Sequence, residues 1–286
     1  MISAIEYNGY TFNTTNADIE SVSGIGFPDI RATEQNTSEQ DGSIPTSYRF
    51  GSRTFGWTGH LTDTTAALYL AERDDLMGAL NLQNQPVEGL TMTFTLITGD
   101  TRTLRETRLV GAVLDFPDGE PSIIWNSYAL TFRSSFGFFE GTETDGDQQI
   151  TVSSGGTAVP SPVPSPLSGT VTVSSGTDPL TVTNAGNANA YPVFTITGPG
   201  TTFTISNLTT GHSLTLDKTL IAGDTVEIDT RTHTIVKNGS DNVYDGFSGS
   251  FIYIQSGSNT ITFTAASGTD ANTQLRTVFS DTYIGI

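Results

Sequence analysis

The chain has 286 residues, 12 of them basic and 30 acidic, for a formal charge of -18, and it contains no cysteine. That length allows two ordinary domains, each with its own core. The missing cysteines exclude disulfides and thiolate chemistry and suit assembly in a reducing cytoplasm, and the acidity argues against gripping nucleic acid by its phosphates, so no specific nucleic-acid partner is expected.

No run of residues approaches the apolar length of a membrane span, and Met1-Ile-Ser-Ala-Ile-Glu6 lacks the basic flank and apolar run of a signal peptide. Eight basic and 21 acidic residues precede position 150, and four and nine follow it, giving -13 and -5. The acidity is therefore concentrated in the first half. Solubility is its plainest use, and a wall that repels DNA is the sharper one.

The first half mixes strands with one helix. The spacing of Ala66, Tyr69, Leu70, Leu76, Met77 and Leu80 predicts a helix from Asp63, as N-cap, to Leu80 with these residues on one face. Leu90-Thr-Met-Thr-Phe-Thr-Leu96 alternates strictly, Tyr128, Leu130 and Phe132 repeat the period of two, and residues 103–115 look extended. This is the pattern of an α+β domain whose helix covers a mostly antiparallel sheet.

Between Gly141 and Ser168 the periodicity stops, and Pro160-Ser-Pro-Val-Pro-Ser-Pro166 favours an extended, semi-rigid spacer. Glu143, Asp145 and Asp147 lack the Gly and bidentate Glu that complete a calcium loop, so they read as solvated linker. The second half returns to a period of two at Val171/Val173, Phe194/Ile196, Phe203/Ile205, Leu214/Leu216, Val226/Ile228, Phe251/Tyr253 and Ile261/Phe263. Turn signals separate these pairs, among them the hairpin dipeptide Asn238-Gly239, and an all-β sandwich follows.

Chemistry is poorly represented. His60, His212 and His233 stand in no catalytic spacing, and each reads as a surface or turn residue. Asp224, Glu227 and Asp229 surround one expected strand, but Glu227 and Asp229 face solvent opposite Val226 and Ile228, without the apolar setting a glycosidase acid needs. No nucleophile elbow or phosphate loop is present. No catalytic, cofactor-binding or metal-binding residue is assigned, and the protein reads as a non-enzyme. Tyr244, Phe247, Phe251 and Tyr253 could form a sugar-stacking platform, but Phe247, Phe251 and Tyr253 share the phase of a sandwich core.

Two sets of residues carry a resemblance. In the second half, Asn184-Ala-Gly-Asn187, Tyr191-Pro-Val-Phe194, Ile205-Ser-Asn207, Thr210-Gly211, Gly223-Asp-Thr-Val-Glu-Ile-Asp-Thr230, Val236-Lys-Asn-Gly239 and Gly257-Ser-Asn-Thr-Ile-Thr-Phe263 follow one another in order. In the first half, Pro28-Asp-Ile-Arg31, Asp41-Gly42, Tyr48-Arg-Phe-Gly-Ser-Arg-Thr54 and Gly59 precede the helix, and Trp125-Asn-Ser-Tyr-Ala-Leu-Thr-Phe-Arg133 closes on Phe136, Phe138 and Phe139. Both sets resemble siphophage distal tail proteins. Phe55 and Trp57 depart from the aliphatic residues usual around the Arg strand, and the linker is longer and richer in proline.

The resemblance implies a mainly β protein: an N-terminal belt domain over 1–142 with a split-barrel-like sheet and one helix, a linker over 143–167, and a galectin-like antiparallel β-sandwich over 168–286. It further implies a structural component of the virion tail tip or baseplate, assembled in the host cytoplasm. That component would form a hexameric ring with copies of itself, join the tail tube protein to tail hub or tip proteins, offer docking faces to side fibres or receptor-binding proteins, and let DNA pass through its channel. The helix and the strand edges of the first domain would form the ring, and its acidity would line the lumen. The competing readings are a carbohydrate-binding or adhesin-type β-sandwich module and, third, a β-rich hydrolase, for which no site is visible.

Overall fold

The computed structural model describes residues 1–36, 41, 43–114, 125–141, 148–153, 170–174, 179–269 and 272–286. The chain is mainly β and divides into two compact units, Met1–Glu140 with Tyr283–Ile286, and Gly141–Thr282. No helix among the described residues is long and apolar enough to cross a membrane.

The first unit runs through β1 (Ile2–Tyr7), β2 (Tyr10–Phe12), β3 (Ser21–Ser23), β4 (Ile30–Asn36), β5 (Ser43–Phe50), β6 (Arg53–Thr62), α1 (Ala66–Ala79), β7 (Leu90–Leu96), β8 (Thr101–Leu114), β9 (Trp125–Ser134) and β10 (Phe139–Glu140). One antiparallel sheet takes the order β2-β1-β7-β8-β9-β6-β3. Its buried face is aromatic: the rings of Phe55, Trp57 and Phe132 stack, Trp57 on Phe132 at 4.8 Å, with Tyr7 edge-on to Phe132 at 5.0 Å. Such contacts add about 0.5–1.5 kcal/mol per pair beyond the area they bury. Phe55 and Trp57, the two departures noted in the sequence, are thus a core filling. Gly59 has no room for a side chain, since a Cβ there would stand 1.9 Å from the Asp18 carbonyl oxygen.

The helix differs from its expected form. Thr65, not Asp63, is the N-cap, its hydroxyl accepting from the Leu68 amide at 3.3 Å, because Asp63 is occupied by the Thr64 amide. Tyr69, Leu76, Ala79 and Leu80 are buried, whereas Leu70 and Met77 stay 42 % and 49 % exposed. The apolar residues of this helix wrap more than one face, and the sheet covers only one.

The second unit runs through β11 (Gln148–Ser153), β12 (Thr170–Ser174), β13 (Leu180–Asn184), β14 (Val193–Thr197), β15 (Gly200–Asn207), β16 (His212–Leu220), β17 (Thr225–Asp229), β18 (Thr234–Lys237), β19 (Asp241–Asn242), β20 (Phe247–Gly249), β21 (Gly257–Ser267) and β22 (Gln274–Val278). The sheets β12-β11-β22-β14-β17-β18-β19 and β13-β21-β15-β16-β20 enclose one aliphatic core, to which Phe194, Ile196, Val226 and Ile228 contribute from the first sheet and Phe203, Ile205, Leu214, Leu216, Ile261 and Phe263 from the second. These are the pairs whose alternation marked the strands, and period two delivers every second side chain to the core. Asn238 and Gly239 take φ of 51° and 75° in the turn between β18 and β19, as a two-residue hairpin requires.

Phe251 and Tyr253 reverse the expected phase. Ile252 and Ile254 fill the core, and the segment is irregular except for a bridge at Ile254. All four residues are apolar, so period two could not choose between the two phases. Within the stretch read as linker, β11 pairs antiparallel with β22 and parallel with β12; the alternation of Ile150 and Val152 in polar surroundings is the signal for it. Glu143, Asp145, Asp147 and the proline run lie outside the described residues. β23 (Thr282–Tyr283) pairs with β10, and Tyr283–Ile286 belong to the first unit.

Candidate functional site

The first unit carries a surface that its own fold does not cover. Among the described residues β4 and β5 pair only with each other, forming a two-stranded arm in which every side chain of β5 is exposed. The register places Ile30 opposite Phe50 and Ala32 opposite Tyr48 on one face, and Arg31 opposite Arg49 on the other. Ile30 and Tyr48 are 63 % and 64 % exposed, and at the base Phe27 is 71 % exposed while stacking on Phe50, which meets Phe138 edge-on. A lone two-stranded ribbon is marginal in water, and two like charges directly opposite weaken it further. Beyond the ladder, no side-chain hydrogen bond or ion pair joins Arg31 or Arg49 to another described residue.

The exposed side of α1 has a matching chemistry. Leu70 and Met77, seven apart, lie open on one flank beside Asp74, and Leu68 lies open on the other flank near Asp75. Asp74 pairs with its neighbour Arg73 at 2.7 Å, whereas Asp75 has no ion-pair partner among the described residues. Beneath them Glu72 accepts from the Tyr10 hydroxyl at 2.5 Å, and burial pushes the Tyr10 pKa up.

Arg53, the first residue of β6, is fully buried. Its Nε donates to the Gly137 carbonyl at 2.9 Å and its Nη1 to Gly24 and Gly26 at 2.8 and 3.1 Å, while Nη2 donates to Ile284. The guanidinium also lies 4.6 Å from the centre of the Phe139 ring. Desolvation lowers its pKa to about 10, which still leaves it charged at neutral pH. Sequence reading marked Arg53 by the company of Gly51 and Thr54; that a cation is spent on four backbone carbonyls, with no carboxylate bonded to it, is not visible without the fold.

In the second unit Asn184, Asn207 and Asn259 of the turn series are buried pins. Asn207 donates to the Tyr253 carbonyl at 2.9 Å and to Asn259 Oδ1 at 3.1 Å, and accepts from the Thr209 amide at 3.0 Å. Asn259 donates to Gln255 and Gly257, and Asn184 to Ala188 and Ile254. The side-chain amide satisfies donors and acceptors of two loops at once, which no other small side chain does. Gly186 follows because a Cβ there would stand 1.9 Å from the Thr282 carbonyl oxygen.

The remaining sequence candidates stay apart. His60 lies in β6, its Nδ1 3.4 Å from Asp18; His212 packs on Tyr253 at 4.9 Å; and His233, expected in a polar hairpin, stacks on Phe251 at 4.3 Å. Asp224 accepts from Asn238, Lys237 and the Ile221 amide, which hold its carboxyl at about 2, so it clamps the β17–β18 hairpin. Asp229 accepts from the Arg231 and Thr232 amides in the next turn, and Glu227 is exposed. Tyr244, Phe247 and Phe251 form a partly exposed ring stack against the edge of the core. No group of three or more His, Asp or Glu among the described residues could hold a metal ion.

Residues 185–279 match the family described as siphovirus-type tail component, C-terminal domain. The chain is similar to the Dit (gp 19.1) protein of phage SPP1, described as a paradigm of the hub adsorption apparatus in phages infecting Gram-positive bacteria: 13 % identity, 98 % of each chain covered, TM-score 0.63. It also matches chains of the phage p2 baseplate in its activated conformation, with Sr at 10 % identity, 96 % of each chain and TM-score 0.46, and with Ca at 10 % identity, 94 % and 93 % coverage and TM-score 0.44. No curated protein matches the chain.

Proposed function

We propose that this chain, which resembles siphophage distal tail proteins in the family match of its C-terminal unit and in its fold from end to end, is a structural component of a phage tail tip. The observation that carries the reading is the coincidence of two independent likenesses: a family match confined to residues 185–279, and a shared fold over 98 % of the chain that includes the first unit, where the family match is silent. The chemistry agrees with it. Among the described residues the second unit puts its asparagines into turn pins around a dry core, and the first leaves apolar surface uncovered.

In the finer form of the proposal, copies of the first unit form a hexameric ring in the virion that joins the tail tube protein to hub or tip proteins, and the second units offer faces to side fibres or receptor-binding proteins. DNA would pass through the centre, and the first half's charge of -13 would keep it from adhering. Negative-stain imaging of the purified protein should give rings of about six copies with a central hole, and gold-labelled antibody should decorate the distal end of tails. Labelling confined to capsids, or absent from particles, would overturn the reading. Rings whose channel is lined by Arg31, Arg49, Arg53 and Arg133 would overturn the role given to the acidic charge.

A further inference from the structure

The chain carries two Asn-Gly pairs, Asn8-Gly9 and Asn238-Gly239. Each sits in the turn of a hairpin, the first between β1 and β2 and the second between β18 and β19, and all four residues are exposed. Their backbones nearly coincide, with φ of 51° and 79° in the first pair and 51° and 75° in the second. What differs is the hold on the asparagine side chain. Asn8 donates from Nδ2 to the Ala79 carbonyl at 3.0 Å, and its Oδ1 has no hydrogen bond among the described residues. The Ala79 carbonyl also accepts from Gln85 Nε2 at 3.1 Å, so Asn8 can leave without stranding it. Asn238 is held at both ends: its Oδ1 accepts from the Thr225 amide and its Nδ2 donates to Asp224 Oδ1, each at 2.9 Å. Asp224 is itself fixed by Lys237 at 2.7 Å and by the Ile221 amide at 3.0 Å.

We infer that Asn8-Gly9 is a site of spontaneous deamidation to aspartate and iso-aspartate, and that Asp224 and Thr225 hold the same dipeptide at 238–239 shut. The reaction needs only water. The side-chain amide swings toward the following peptide, the glycine nitrogen loses its proton to solvent and bonds to the asparagine Cγ, and the Cγ–Nδ2 bond breaks as Nδ2 takes up a proton and leaves as ammonia. Water then opens the five-membered imide, and the ring nitrogen regains its proton. Opening at the side-chain carbonyl gives aspartate, and opening at the backbone carbonyl gives iso-aspartate. Glycine favours the first step because no side chain shields its nitrogen. In both turns the step waits for the asparagine to let go of its partners, so those partners set the rate.

The product at position 8 has a structural consequence. A carboxylate replaces the donor that faced Ala79, the last residue of α1, and so stands at the negative end of that helix. Iso-aspartate also lengthens the backbone of a turn that the pairing of Tyr7 with Tyr10 holds to two residues. The β1–β2 hairpin and the end of α1 therefore record the age of the chain. The inference is independent of the tail-tip reading.

The test is peptide mass spectrometry on the full folded chain stored in mildly alkaline buffer, with iso-aspartate identified by enzymatic methylation. Freeing Asn238 breaks two side-chain bonds, one of them to a charge, against one neutral bond at Asn8, so conversion at 238 should be at least about tenfold slower than at 8. Asp224→Ala should speed conversion at 238 by about tenfold or more and leave position 8 unchanged. Lys237→Met removes the other side-chain partner of Asp224 but keeps its bond to Asn238, and should change the rate at 238 far less. In concentrated urea the two positions should convert at similar rates. Position 8 as resistant as 238 in the folded chain, or a gap that persists in urea, overturns the inference. Lys237→Met as fast as Asp224→Ala overturns the guard, since loosening the hairpin would then be enough.

Discussion

The two units spend their apolar residues differently. Of the eighteen large apolar side chains recorded as exposed among the described residues, fourteen belong to the first unit and four to the second. The second unit is satisfied by itself: its alternating strands send Val, Ile, Leu and Phe into one core and leave Thr, Ser and Asp outside. The first unit fills its core with stacked rings and still leaves an arm, a helix face and the end of β8, with Val110 and Val113, open to solvent. The difference leaves the apolar surface of the chain mainly on the first unit.

Unfolding experiments can break this contrast. The largest effect is expected from Arg53→Ala, which leaves buried carbonyls of Gly24, Gly26, Gly137 and Ile284 without a donor and costs on the order of 5 kcal/mol. If the units unfold separately in urea, only the first unit's transition should move; a shift of both would show that the contrast is drawn too sharply. Phe194→Ala, at a fully buried site, should lower the second unit's transition by about 3–5 kcal/mol and leave the first in place. Asn207→Ala removes the shared pin of two loops and should cost about 3 kcal/mol in the same transition.

A smaller effect separates the units by pH. The Asp224 carboxyl sits at about 2, against 3.8 for the free group, so the stability it lends is complete above about pH 4 and is lost as the pH falls through 2. Asp224→Asn should lower the thermal midpoint at pH 7 and flatten that acid limb for the second unit alone, as followed by scanning calorimetry. The smallest stability effect belongs to Tyr48→Ser, within about 0.5 kcal/mol because the residue is mostly in water already. A loss clearly larger than that would break the contrast, by showing that the face carrying Tyr48 is packed within its own unit.

How much of this was legible follows the same line. The sandwich could be read because Phe194/Ile196, Val226/Ile228 and their fellows alternate with polar residues, so periodicity and burial coincide. It failed at Phe251-Ile-Tyr-Ile254, where both phases are apolar and tertiary packing chose Ile252 and Ile254. The helix is legible, yet the sequence puts Leu70 and Met77 on one face with its buried residues, because it records that a residue is apolar and not which side the sheet will cover. The recognition held on turn residues such as Asn207 and Asn259, read as turn formers and found as buried cross-links between loops. The arm left a trace in Ile30, Tyr48 and Phe50, but its isolation depends on which strands do not pair with it, and no local pattern encodes that. Arg53 was quoted in a motif without a role, since its partners lie up to 231 residues away.

That last distance bears on how the protein is made. Ile284 supplies one of the four carbonyls around Arg53, Tyr283 stacks under Arg102 at 3.9 Å, and the Ile286 amide donates to Ile25. The first unit therefore waits for residues that leave the ribosome only after the whole second unit has been translated. Nascent and prematurely ended chains present a first unit that is not yet closed. Vectorial synthesis thus sets an order in which the self-contained sandwich is complete before the first unit can close. The carbonyl cage around Arg53 is therefore completed only when residue 284 has been made.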